Sequence, residues 1–78
     1  MDIDAIRERL CDALEGCEVQ VSGEGNHLGV VAVGELFAGL RPVQRQQRVY
    51  AVLKDLIAAG EVHAVQIKAY TPEEWQAR

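Results

Sequence analysis

The chain has 78 residues, 49% hydrophobic and 26% charged, which describes one folded globular domain spanning 1–78 and excludes disordered and fibrous classes. No apolar run approaches the roughly 20 residues needed to cross a bilayer, and the opening MDIDAIRERL is acidic and amphipathic rather than basic then apolar, so a cytoplasmic protein without membrane association is expected. The net charge of −4 weakens any electrostatic attraction to nucleic acid, although it is unevenly spread: no acid occurs from Leu36 to Lys54, where Arg41, Arg45, Arg48 and Lys54 fall.

Ile3, Ile6, Leu10, Ala13 and Leu14 recur at helical spacing, with Asp2 placed to cap the start and Gly16 to end the helix. Cys11 lies at the boundary of its apolar face. Cys11 and Cys17 are too few for a disulfide framework and lack zinc-type spacing, so both are read as structural free thiols. Glu18 to Ser22 alternates as a strand. Gly23, Glu24, Gly25 and Asn26 supply an exposed, flexible turn, and HLGVVAV from His27 to Val33 is apolar on both faces, as a central strand requires. The short SGEGN stretch has neither dinucleotide nor P-loop spacing.

One helical turn fits Glu35 to Ala38, broken at Gly39, and Pro42 opens a longer helix ending at Gly60. Val43, Val49, Tyr50, Leu53, Leu56 and Ile57 form its broad apolar stripe, with Arg45, Arg48 and Lys54 outside it. The last strand is read from Val62 to Tyr70. At a period of two, His63, Val65, Ile67 and Ala69 share one face, so His63 opens the apolar side. Thr71, Pro72, Glu73 and Glu74 then read as an N-cap, a proline at the first helical position and acids suited to a helix start. A crossover containing a helix gives a parallel strand pair, so the fold is α+β, in the order α-β-β-α-α-β, with a three-stranded mixed sheet and a short C-terminal helix.

The segments VAVGELFAGLRPVQRQQRVYAVLKDL and VHAVQIKAYTPEEW resemble the BolA family, in its short bacterial IbaG-like branch, and the likeness covers nearly the whole chain. Its most specific parts are the histidine of the last strand, His63, and the trailing Tyr-Thr-Pro-x-x-Trp; Phe37 and Gly39 add to it. The resemblance implies a class II KH-like fold. It also implies a non-enzymatic adaptor of monothiol glutaredoxins, sharing a bridging 2Fe-2S cluster with the partner and glutathione for iron-sulfur trafficking or iron sensing; an apo homodimer is a further possible assembly.

The family's ligand histidine maps onto His63. The second ligand comes from the hairpin loop in relatives, often earlier than His27, and His27 is the soft or borderline donor this loop offers. Two imidazoles cannot hold such a cluster alone, so partner cysteine and glutathione thiolates complete it. A competing reading is a nucleic-acid-binding transcriptional regulator using Arg41, Arg45, Arg48 and Lys54 at the helical corner. The turn Gly39-Leu40-Arg41-Pro42 lacks the Gly-x-x-Gly of a KH domain, aromatic stacking platforms are missing, and Arg45-Gln46-Gln47-Arg48 replaces the Arg-His-Arg of many relatives. An enzyme is disfavoured, because neither cysteine sits in a cationic setting and Ser22 has no partners for nucleophilic catalysis.

Overall fold

A computed structural model describes residues 2–78. The chain forms helix α1 (Ile3–Ala13), strands β1 (Glu18–Glu24) and β2 (His27–Val33), a 3-10 turn (Glu35–Phe37), helix α2 (Pro42–Ala58), strand β3 (Ala64–Tyr70) and helix α3 (Pro72–Ala77). The sheet runs β1-β2-β3, with β2 central, antiparallel to β1 and parallel to β3. The α+β order and mixed sheet agree with the periodicity of the sequence. Among the described residues no helix is long and apolar enough to cross a membrane.

Local chemistry explains most element ends. Asp2 caps α1, its carboxylate accepting the Ala5 N–H at 3.1 Å. Pro42 occupies the first turn of α2, where a missing N–H costs nothing, and the Gln44 side chain accepts the Arg41 N–H at 2.9 Å. At α3 a complete capping box forms: the Thr71 hydroxyl accepts the Glu74 N–H at 3.2 Å and the Glu74 carboxylate accepts the Thr71 N–H at 2.8 Å.

Alternation along the strands gives the sheet one packed and one open face. Leu28, Val30 and Ala32 of β2 are buried. Their ladder partners Val21, Val19, Val65, Ile67 and Ala69 pack against the same core. Ile6 and Leu10 from α1, Leu14 just after it, and Val49 and Leu53 from α2 close that side, with Phe37 fully buried among them. Each such side chain contributes about 1.5–3 kcal/mol by leaving water. The other face carries Gln20, Ser22, His27, Gln66 and Lys68, all exposed.

Several local expectations are corrected. The α2 stripe is narrower than its sequence suggests, with Val43 59% and Tyr50 43% exposed. Ala13 and Cys11 are exposed. The turn predicted at Glu35 to Ala38 is a three-residue 3-10 turn. The hairpin loop is shorter than the four residues expected: β1 continues through Gly23 and Glu24, and Glu24 pairs with His27 across the two-residue turn Gly25-Asn26. Gly25 holds φ +61° at the first central position, where a type II′ turn needs glycine. Gly34 has a different reason. A Cβ there would fall on the Cys17 thiol and lie 3.3 Å from the Cys17 Cα, so the β2 exit and the start of β1 approach through a missing side chain.

Candidate functional site

The chain segments carrying His27 and His63 are neighbours at one end of the sheet. His27 is the first residue of β2, and its ladder partner in β3 is Ala64, the residue after His63. The hairpin turn fixes both strands here. The Asn26 carbonyl accepts the backbone N–H groups of His63 at 3.0 Å and Ala64 at 3.3 Å. Because both amides turn toward one carbonyl, the extended ladder begins only at Ala64, and His63 stands just outside it. Extrapolating the period of two back to Val62 therefore fails by two residues. Val62 is buried at 1% and His63 is exposed, so His63 does not open the apolar face.

His27 is exposed as well. It borders a depression on the open sheet face lined by Ser22, Glu24, Gly29, Ala64 and Gln66. Among the described residues neither imidazole takes part in a side-chain hydrogen bond or ion pair, and no group of three or more His, Cys, Asp or Glu side chains is arranged to hold a metal ion. Two exposed imidazoles with spare nitrogen lone pairs suit half of a ligand set, since an imidazole donates to a metal only in its neutral form.

The basic window resolves into two kinds of residue. Arg41, Arg48 and Lys54 are exposed. Arg45 is not available to a ligand. Its side chain is 14% exposed and is consumed internally: Nε donates to the Leu40 carbonyl at 3.0 Å, and Nη1 to the Ala69 carbonyl at 3.2 Å and to Glu74 Oε1 at 2.6 Å. Nη2 reaches Glu74 Oε2 at 3.2 Å. This corrects its assignment to a nucleic-acid surface. The fork geometry of guanidinium and carboxylate makes the contact bidentate, and hydrogen bonds from Arg45 and the Thr71 backbone hold the Glu74 carboxyl at about 2. Sequence reading missed this clamp because its partners lie 24 and 29 residues away. The acid at the third position of the capping box was its sole local sign.

Trp75 follows Glu74 and packs at 5.3 Å from Tyr70, with the Arg78 guanidinium 3.5 Å over its indole. Cys17 is half-buried, and burial first, with Cys11 nearby, pushes its thiol up. A raised thiol is a poorer nucleophile at neutral pH, which fits the structural reading of this residue.

The model of the BolA-like protein family matches residues 12–74. The chain is 52% identical over 75 residues to the acid stress protein IbaG of Escherichia coli, covering 96% of this chain and 89% of that one. It is 46% identical over 54 residues to the DNA-binding transcriptional regulator BolA of Vibrio cholerae, covering 69% of this chain and 50% of the relative. Among solved structures it is similar to the BolA domain of SufE1 from Arabidopsis thaliana, with a TM-score of 0.82 at 30% identity over 91% of this chain and 92% of that one.

Proposed function

The chain belongs to the BolA family and to its IbaG-like branch, and from that membership and the open imidazole of His63 we propose that it is a non-catalytic adaptor. It binds a monothiol glutaredoxin and contributes His63, with His27 beside it, to a 2Fe-2S cluster whose other ligands are thiolates of the partner and of glutathione. The cluster is cargo for trafficking or sensing. The observation carrying this reading is the exposure of His63 at a position held rigid by its own backbone: the Asn26 carbonyl fixes the main chain while the ring stays free. A donor on a pinned backbone loses less conformational freedom on binding than one on a loose loop.

What this chain contributes is placement. His63 presents an exposed ring at the sheet end, and the ladder sets His27 opposite the residue that follows it. Ligation by imidazole in place of thiolate lowers the negative charge at iron and raises the reduction potential of such centres.

Adding the protein to a reconstituted monothiol glutaredoxin should alter the visible circular dichroism of the cluster. His63→Ala should abolish the change and His27→Ala should reduce it. A wild-type protein that leaves the spectrum unaltered, or a His63→Ala variant that reproduces the full change, would overturn the reading.

A second reading, DNA binding, draws on the name of the Vibrio cholerae relative and on exposed Arg41, Arg48 and Lys54. The internal use of Arg45 removes one of its four cations. A salt-dependent gel shift lost on combining Arg41→Ala with Arg48→Ala would support it.

A further inference from the structure

Next to His63, on the packed side of the sheet, lies a cavity of about 430 Å³ that the proposed ligand set does not use. The first turns of α1 form one wall with Asp2, Ala5, Ile6 and Arg9, and the end of α2 and the chain leading to His63 form the other with Leu56, Glu61 and Val62. The Arg9 guanidinium bridges the two helices through a 2.7 Å contact with Asp55. Its floor is apolar, since Ile6 and Val62 are buried and Leu56 is half-buried.

The polar groups sit at the mouth rather than inside. No polar or charged side chain is buried among the described residues, whereas small-molecule sites orient their ligands with a few enclosed polar groups. An apolar floor under a charged rim instead suits an aliphatic anchor from another protein, ringed by contacts that exclude water. The rim specifies a sign. Arg9 is neutralised by Asp55, while Asp2 and Glu61 remain as carboxylates with no ion-pair partner among the described residues.

The geometry points to this cavity as the docking pocket for an apolar side chain followed by a lysine or arginine, presented by the same glutaredoxin whose cluster His63 meets. This inference rests on the adaptor reading and names the partner surface it requires. Val62 lines the pocket and precedes His63, so a side chain seated there brings the partner's metal-bearing surface against the imidazole. Docking and ligation are thus separable. The pocket governs affinity with or without cluster, and the histidine acts only when the cluster is present.

The test is calorimetric titration of cluster-free monothiol glutaredoxin into this protein, with visible circular dichroism of the cluster-loaded mixture measured alongside. Ala5→Trp, at an exposed helical position, plugs the mouth; Glu61→Lys, also exposed, reverses the rim charge. Each should weaken cluster-free binding by about tenfold or more, and the wild-type affinity should fall with added salt more steeply than that of Glu61→Lys. Glu61→Asp should restore binding to within about twofold, and His63→Ala should abolish the spectral change. Thermal melts establish that each variant folds, and Glu61→Lys stands as the test if Ala5→Trp does not. Wild-type cluster-free affinity in folded Glu61→Lys overturns the pocket and leaves the adaptor reading standing whenever His63→Ala still loses the spectral change. No binding of glutaredoxin by the wild-type protein, with or without cluster, overturns both.

Discussion

The two ends of the sheet are built by opposite means. Where β3 ends and α3 begins, side chains do the holding: Arg45 ties the Leu40 and Ala69 carbonyls to Glu74, Glu74 also closes the Thr71 cap, and Trp75 lies between Tyr70 and Arg78. Where β2 and β3 begin, the backbone does the holding: one carbonyl of Asn26 accepts two amides, and both imidazoles are left free of side-chain bonds among the described residues. The first arrangement spends its polar groups on the fold. The second leaves them exposed, and perturbing the two ends should separate stability from the binding proposed above.

The largest effect is expected from Phe37→Ala at the clamped end. Phe37 is fully buried, and removing its ring should lower the unfolding free energy by about 3–5 kcal/mol in a urea titration, through lost burial and the cavity left behind. Arg45→Ala comes next. It strips a donor from the Leu40 and Ala69 carbonyls, for a loss of about 1–3 kcal/mol, and Arg45→Lys should recover little, because one ammonium cannot match the planar fork. Gly34→Ala should cost a comparable ~1–3 kcal/mol through overpacking against Cys17, and Cys17→Ala should relieve part of it in a double-mutant cycle.

Acid provides a graded break of the same end. The Glu74 carboxyl is held at about 2, against an ordinary 4.5, by hydrogen bonds from Arg45 and the Thr71 backbone. A carboxyl depressed on folding stabilises fully above its unfolded value and loses that contribution as pH falls toward the folded one. The attachment of α3 should therefore weaken progressively from about pH 4.5 down to about pH 2, read by the fluorescence of Trp75, the one tryptophan. Glu74→Gln should flatten that response. The smallest effect belongs to the opposite end: His63→Ala and His27→Ala, at exposed positions, should change stability by no more than about 0.5 kcal/mol. A large destabilisation by either would erase the contrast between the ends.

What the sequence made legible follows from how local each signal is. Asp2, Pro42 and the Thr71-Pro72-Glu73-Glu74 run announce helix starts through bonds that span three or four residues, and HLGVVAV announces a strand flanked on both sides by its composition alone. The element order and mixed sheet came from such cues. His63 and His27 were legible as residue types, but the meeting of their chain segments came from the register that pairs His27 with Ala64. The bare state of His63 came from a turn carbonyl 37 residues earlier, so period-two counting put the residue on the wrong side. Arg45 looked like any surface cation on a helix because nothing within its own turn reveals Ala69 or Glu74. Tyr50 looked buried because helical spacing shows which residues share a side, not how far around the neighbouring elements reach.

The double acceptance at Asn26 has a mechanical side. It fastens the hairpin tip to the strand entry like a rivet through two plates, so anything that pulls on the tip moves the His63 backbone with it. The spacing of the two histidine backbones is then tied to the length of the turn. Lengthening Gly25-Asn26 by one residue is a way to retune that spacing while leaving both histidines untouched.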